Sequence, residues 1–351
     1  MEKIVKPAHY LDAHTGTIVS IVQPLDNSDY ILTLSNDKLV LLWNLSLGNL
    51  INEICSDACP TKLFIFPNLG FLFIPKWDNT FSLIDLSLFN LSIKKIINKY
   101  FPENEKVFIG HRSWVLHAIE FEDKFLTCGR DKTIRLWNVK SQKCELIFSE
   151  HKQNVNYIIK LDKGLFASCS SDNYIKIWNL KSNINDPRNS ILCILDGNLP
   201  VFQIEKLDDK CLVSRNESPS MRIWNYTNGN LIKILEGHFT NIICMTILKN
   251  GNILSGSYDH TAKIWNKKFD SPSFTLSGHE FTVYNVCECK NGNILTASGD
   301  GSIKLWDLNK KRCLMTFIGH DDYVVSMIIT KNNEFVSGSY DGAAIIWKIK
   351  Y

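Results

Sequence analysis

Apolar residues alternate with polar ones along most of this chain in runs of five or six, and each run is broken by a short polar turn. Residues 283–317 show the arrangement: "VYNVCE", "NILTAS", "SIKLWD" and "CLMTF" follow one another, with "GDG" between the second and third. Period-two runs rich in β-branched residues are strand signals. Gly and Asp in the turn tolerate the backbone angles that a tight reversal demands. No helical spacing runs through these segments. The pattern therefore predicts four short antiparallel strands in this stretch.

The stretch is not unique. Residues 251–266 read "GNILSGSYDHTAKIWN" and residues 292–307 read "GNILTASGDGSIKLWD", 41 positions later. Tryptophans fall at Trp137, Trp178, Trp224, Trp265, Trp306 and Trp347, with steps of 41, 46, 41, 41 and 41. Upstream, Trp43 fits the pattern, and Ile84 occupies the Trp position of a worn copy 41 residues later. Eight copies follow, ending near Trp43, Ile84, Trp137, Trp178, Trp224, Trp265, Trp306 and Trp347.

Each full copy places an Asp six residues before the Trp and a Ser or Thr four residues before that Asp, with a His further upstream. Six copies carry the whole set: His14, Thr33, Asp37, Trp43; His111, Thr127, Asp131, Trp137; and His151, Ser168, Asp172, Trp178. The other three are His238, Ser255, Asp259, Trp265; His279, Thr296, Asp300, Trp306; and His320, Ser337, Asp341, Trp347. The second copy keeps Asp78 but has Ile74 and Ile84 at the hydroxyl and Trp places. The fifth has Asn198, Ser214 and Ser218 with Trp224, so its His and Asp are missing. Drift, with apolar packing in place of the polar set, is the expected reason.

This register of eight copies resembles the WD-repeat (WD-40 type) family over essentially the whole chain. The resemblance implies an all-β fold: a single eight-bladed β-propeller over residues 1–351, each copy supplying a four-stranded blade. A lone four-stranded sheet buries too little surface to stand by itself, so neighbouring blades must pack face to face. The last copy ends on its third strand, "AAIIWKIKY", and the N-terminal "PAHYLDA" is expected to supply the fourth, leaving no open edge. In the family the indole N–H donates to the hydroxyl, the hydroxyl bonds the His and the His bonds the Asp. Ser, His and Asp here are thus structural staples repeated six times, not a hydrolase triad.

Family geometry also places the His-bearing and Asp-bearing turns on one narrower face. Residues three past the His or just before the Asp then surround the channel mouth: Trp114, Asn154, Asn241, Thr282 and Tyr323, with Asn36, Arg130, Ser171, Tyr258, Gly299 and Tyr340. Tyr284, Asn156 and Arg112 lie beside them. The partner-binding residues expected on this face are Arg112, Trp114, Arg130, Asn154, Asn156, Tyr258, Tyr284, Tyr323 and Tyr340, types that dominate binding hot spots. Two insertions follow third strands and should emerge on the opposite face. "LFNLSIKKIINKYF" (88–101) sets Phe89, Ile93, Ile96 and Tyr100 at helical spacing with Lys94, Lys95 and Lys99 largely off that stripe. "KSNINDPRNS" (181–190) is polar and reads as a loop around Pro187.

Composition narrows the function classes. At 45% hydrophobic the 351-residue chain is globular, and a net charge of +3 gives no argument for nucleic acid. The N-terminal "MEKIVKPAHY" lacks the apolar stretch of a signal peptide, and "LFIFPNLGFLFIP" (63–75) is too short and interrupted to span a membrane. Eleven cysteines without a CxxC pair, several of them such as Cys128 and Cys169 inside apolar runs, indicate a reducing, intracellular setting, cytoplasmic or nuclear. Cys55 and Cys59 have no matching ligand pair, so no metal and no cofactor is expected. No Gly-rich phosphate loop or single-copy catalytic set is present, and the paired-arginine motif of lipid-binding propellers is missing. The expected function is a non-catalytic scaffold, monomeric as a propeller, binding protein or peptide partners within a multi-subunit complex. The alternative is a ubiquitin-ligase-type substrate receptor for acidic or phosphorylated peptides, for which Arg112 and Arg130 speak and the neighbouring Asp321 and Asp322 do not.

Overall fold

The computed structural model describes residues 3–24, 29–55, 61–87, 105–162, 164–180, 190–266, 271–330 and 334–349, without the side chains of residues 54 and 55. Both insertions, 88–101 and all but the last residue of 181–190, lie outside the described residues.

Strands form where the alternation placed them, and they assemble into eight sheets. Blades 1 to 7 span residues 18–55, 64–108, 115–148, 155–196, 201–235, 242–276 and 283–318, each with four strands in sequence order. Blade 8 takes three strands from residues 324–348, and its outermost strand is the N-terminal His9–Leu11, antiparallel to Ala344–Lys348. The chain therefore folds as an eight-bladed β-propeller closed by its N-terminal strand. A further short strand, Lys3–Val5, continues past this latch and pairs in parallel with Arg312–Ile318, giving blade 7 a fifth strand. Pro7 packs between the two at the turn from blade 7 to blade 8. A Cβ on Gly319 would come within 2.6 Å of its ring, so only glycine fits there.

Sheets of this size cannot bury both faces alone, and the core is accordingly divided among the gaps between blades. Eight apolar clusters fill eight gaps. Leu32, Leu42, Leu72 and Ile84 join blades 1 and 2, Phe73, Phe81, Phe125 and Trp137 join blades 2 and 3, and so on round to Phe317, Phe335 and Trp347 between blades 7 and 8. Leu11, Ile18, Trp43, Val336 and Ile346 complete the circle between blades 8 and 1. Packing at that closure is tight, because a Cβ on Gly338 would lie 2.5 Å from Ile18 Cγ2.

First strands of neighbouring blades touch one another, which sets them at the ring axis. Seven of them carry a bulge at the same place, immediately before Ser20, His117, Tyr157, Gln203, Cys244, Asn285 and Ser326. A bulge re-aims the residue beside it, and these seven form one layer around the axis.

Candidate functional site

In an antiparallel four-stranded blade, the link into the first strand and the turn between the second and third strands emerge at the same end. That end carries every His-bearing and Asp-bearing turn, so all of them share one face of the ring.

Each full copy builds the same four-residue chain there. In blade 3, Trp137 Nε1 donates to Thr127 Oγ1 at 2.8 Å, His111 Nε2 lies 2.7 Å from that oxygen, and His111 Nδ1 lies 2.8 Å from Asp131 Oδ2. His14 with Thr33 and Asp37, and His151 with Ser168 and Asp172, repeat it with all four distances at 2.8 Å. His238, His279 and His320 join Ser255 and Asp259, Thr296 and Asp300, and Ser337 and Asp341 at 2.7–2.8 Å. Trp43, Trp178, Trp265, Trp306 and Trp347 donate to their hydroxyls at 2.7–2.9 Å. Burial pulls the Asp172 carboxyl upward, but bonds from His151 and two backbone amides outweigh it and hold the pKa near about 2. Burial keeps His14, His111, His151 and His238 below the ordinary histidine value, so their rings stay neutral.

The two incomplete copies are satisfied differently. In blade 2, Ile74 and Ile84, at the hydroxyl and Trp places, pack with Leu32, Leu42, Leu63 and Leu72 in the gap to blade 1. Glu105 accepts hydrogen bonds from Ser82 and Lys76. In blade 5, Trp224 still donates to Ser214 at 2.9 Å, while Asn216 Nδ2 donates to Gly197 O at 2.7 Å and ties the incoming loop where a His otherwise would.

On the same face, the residues flanking the staples meet in pairs through the backbone. The amides of Asn36, Arg130, Ser171, Tyr258, Gly299 and Tyr340 donate to the carbonyls of Thr17, Trp114, Asn154, Asn241, Thr282 and Tyr323 at 2.8–3.1 Å. Two aromatic groups result. Across blades 6 to 8, the Tyr284 and Tyr323 rings stack at 5.8 Å and Tyr323 lies 5.7 Å from Tyr340. Gly299 leaves room beneath them, its Cβ place only 3.2 Å from Tyr284. Burial raises the Tyr284 hydroxyl pKa, and the nearby hydroxyls of Tyr258, Tyr323 and Tyr340 add to the shift. Phe239, 88% exposed, and Phe281, stacked on His260 at 6.0 Å, extend this group. Across blades 2 and 3, Trp77 stacks on Trp114 with centroids 5.0 Å apart and planes nearly parallel, and the Arg130 guanidinium lies 4.0 Å from the Trp114 ring centroid.

Asn154 supplies a backbone acceptor, and Asn156 is a strut: its Nδ2 donates to Ser171 Oγ and to Val201 O of blade 5. Arg112 is exposed, with its amide on Asp131. Charges on this face are split. Lys38, Arg112, Arg130, Lys132 and Lys152 belong to blades 1, 3 and 4, whereas Glu217, Glu280, Asp321 and Asp322 belong to blades 5, 7 and 8. Trp77 and Phe239 were absent from the sequence expectation, although Trp77 precedes Asp78 just as Arg130 precedes Asp131.

Among the described residues, no cluster of His, Cys, Asp or Glu could hold a metal ion, and no helix is long and apolar enough to cross a membrane. Burial pushes the Cys244 and Cys289 thiols up to about 12, which keeps them protonated and unreactive.

A propeller with these staples is a repeat protein of the WD class, and comparison with known proteins agrees. Residues 5–44, 102–138, 142–179, 229–266, 270–307 and 311–348 match the family described as WD domain, G-beta repeat (WD40), and the chain belongs to it. The unmatched copies are those lacking the full staple. Periodic tryptophan protein 2 homolog of Caenorhabditis elegans is 29% identical over 39% of this chain and 15% of its own length. WD repeat-containing protein 18 of Danio rerio is 28% identical over 40% of this chain and 33% of its own. The matches thus cover a third or less of those relatives' lengths. Among solved structures, the computationally designed Ika8 protein superposes with a TM-score of 0.82 at 19% identity, covering 98% of this chain and 100% of that one. The WD40 propeller domain of Doa1 gives 0.65 at 17% identity, over 98% and 96%. At such identities the likeness is one of fold.

Proposed function

We propose that the protein is a non-catalytic scaffold, one propeller over residues 1–351, that binds protein or peptide partners through the face carrying the staples. The observation behind this is the aromatic group on blades 6 to 8. Phe239, Tyr258, Phe281, Tyr323 and Tyr340 are all exposed on one side of a rigid ring. Exposed aromatic surface gathered in one place marks interaction sites, and tyrosines offer large contact area at small entropic cost. The Trp77–Trp114–Arg130 stack and Arg112 supply a second contact point on blades 2 and 3, with Asn154 between the two. The partners are other proteins or peptides in an intracellular complex, cytoplasmic or nuclear, and the propeller acts as a monomer.

Affinity capture from cell extract, comparing wild type with a Trp114→Ala/Tyr323→Ala variant, tests the reading. The variant should lose companions that wild type retains. Identical companions would refute the assignment of this face. A phosphorylated-peptide arm, with Arg130→Ala as control, tests the receptor alternative.

A further inference from the structure

Blade 5 departs from its neighbours at one further position, just outside the axial layer. Opposite Ser20 in the ladders stands Leu34, and opposite His117, Tyr157, Cys244, Asn285 and Ser326 stand Cys128, Cys169, Gly256, Ala297 and Gly338. None of these is charged, and the last five are small where the first strand of the next blade crosses; a Cβ on Gly256 would lie 2.9 Å from Val283. Opposite Gln203, however, stands Arg215. Its Nε donates to Gln203 Oε1 at 3.0 Å and its Nη1 to Ile242 O, on the neighbouring first strand, at 3.3 Å. The ring of Phe202 lies 5.9 Å from the guanidinium. Gln203 is fixed in turn by bonds to Glu205 and to Met245 O.

A guanidinium carries five N–H donors. Two are committed here, and the remaining three have no acceptor among the described residues. Arg215 lines a cavity of about 340 Å³ between blades 5 and 6, with Phe202, Asn241, Ile243, Tyr258 and Glu217 around it. Tyr258 belongs both to this cavity and to the exposed aromatic group.

We propose that this cavity is a socket for a carboxylate carried by a partner, with Arg215 as its anchor. This rests on the reading of the staple-bearing face as the binding face and names the chemistry it selects. Arg presents a planar fork that matches a carboxylate, and here the fork is already immobilised, so little freedom is lost on binding. Burial works against the Arg215 charge, and an incoming anion relieves that. A singly charged group suits the site better than a phosphate dianion. Glu217 shares the cavity and Glu205 lies behind Gln203, with Lys62 near enough to feel the charges of both Glu205 and Arg215. A residue seated in the socket would bring its neighbours onto Tyr258 and Tyr284.

The test follows the Arg215 Nε–Hε signal in the full chain labelled with 15N-arginine, assigned by its loss in Arg215→Lys. The probes are N-acetyl-aspartate amide, N-acetyl-alanine with a free carboxylate, N-acetyl-asparagine amide and N-acetyl-phosphoserine amide. A saturable shift with either carboxylate and none with the asparagine compound is the expected result; the first two probes tell a side-chain source from a chain terminus. Glu217→Gln, at an exposed position, should tighten carboxylate binding a few-fold. No shift with either carboxylate, an equal shift with the asparagine compound, or tighter binding of the phosphoserine compound would overturn the proposal. These probes are too small to need the tyrosine rim, so their failure leaves the capture experiment to judge the face by itself.

Discussion

Trp77 lies face to face on Trp114, ring centroids 5.0 Å apart and planes only 7° from parallel, across the boundary between blades 2 and 3. The Arg130 guanidinium lies over the Trp114 ring, 4.0 Å from its centroid. The three form a stack on a rim that is otherwise open, and stacks of this kind contribute roughly 0.5–1.5 kcal/mol beyond area burial. Trp77→Ala and Arg130→Ala, alone and together, should each lower stability in urea by about 1 kcal/mol, with a coupling measurable in the double-mutant cycle. Strictly additive effects would show that Trp114 is not shared between them.

The staples should fail unequally. Thr127→Val removes the hydroxyl that joins Trp137 to His111 and leaves both ring nitrogens unpaired in a buried place. The expected cost is roughly 2–3 kcal/mol. Ser214→Ala in blade 5 orphans only the Trp224 indole, so about 1 kcal/mol is expected. Equal losses in denaturant titrations would contradict the network account.

Acid should destabilise the ring in two stages. His14, His111, His151, His238 and especially His117 are held neutral by burial, below their unfolded value of about 6.5. As pH falls through that value the unfolded chain takes up protons that the folded chain refuses, and stability drops. The staple aspartates, of which Asp172 sits near about 2, add a second loss below the unfolded carboxylate value of about 3.9. Melting temperature should therefore fall from pH 7 to 5 and again below 4. A flat profile between 7 and 5 would mean that these histidines take up protons in the fold as readily as in the unfolded chain.

Removing residues 1–13 takes away the outer strand of blade 8, including buried Leu11, and the strand added to blade 7. A loss of about 3 kcal/mol or more is expected from the exposed apolar surface and broken ladder bonds. Removing residues 1–6 takes only the added strand and should cost far less. If both truncations melt alike, the latch at His9–Leu11 holds nothing.

The blades were readable because a Trp, an Asp and a hydroxyl at constant spacing mark each one, and even Ile84 kept its place in the count. The latch followed from a last copy one strand short. The strand Lys3–Val5 did not, since a parallel addition of three residues has no counterpart in any other copy. Trp77 could have been found by the same rule that picked Arg130, but its copy lacked the Trp and hydroxyl that draw attention. Arg215 was hidden for a different reason. It is unusual only against Cys128, Cys169, Gly256, Ala297 and Gly338, and those become equivalent positions once the bulged register of the first strands is known.

The parallel strand on blade 7 also bears on how the protein behaves when concentrated. It demonstrates that an outward blade edge will accept one more strand, whereas the outermost strands of blades 4 and 5 show Leu192, Ile194, Leu231, Ile232 and Ile234 uncovered. Two molecules can meet along such bare edges. A lysine in place of Ile194 or Ile232 should block that sideways joining without unfolding the ring, and light scattering of concentrated solutions beside an unchanged melting curve would check it.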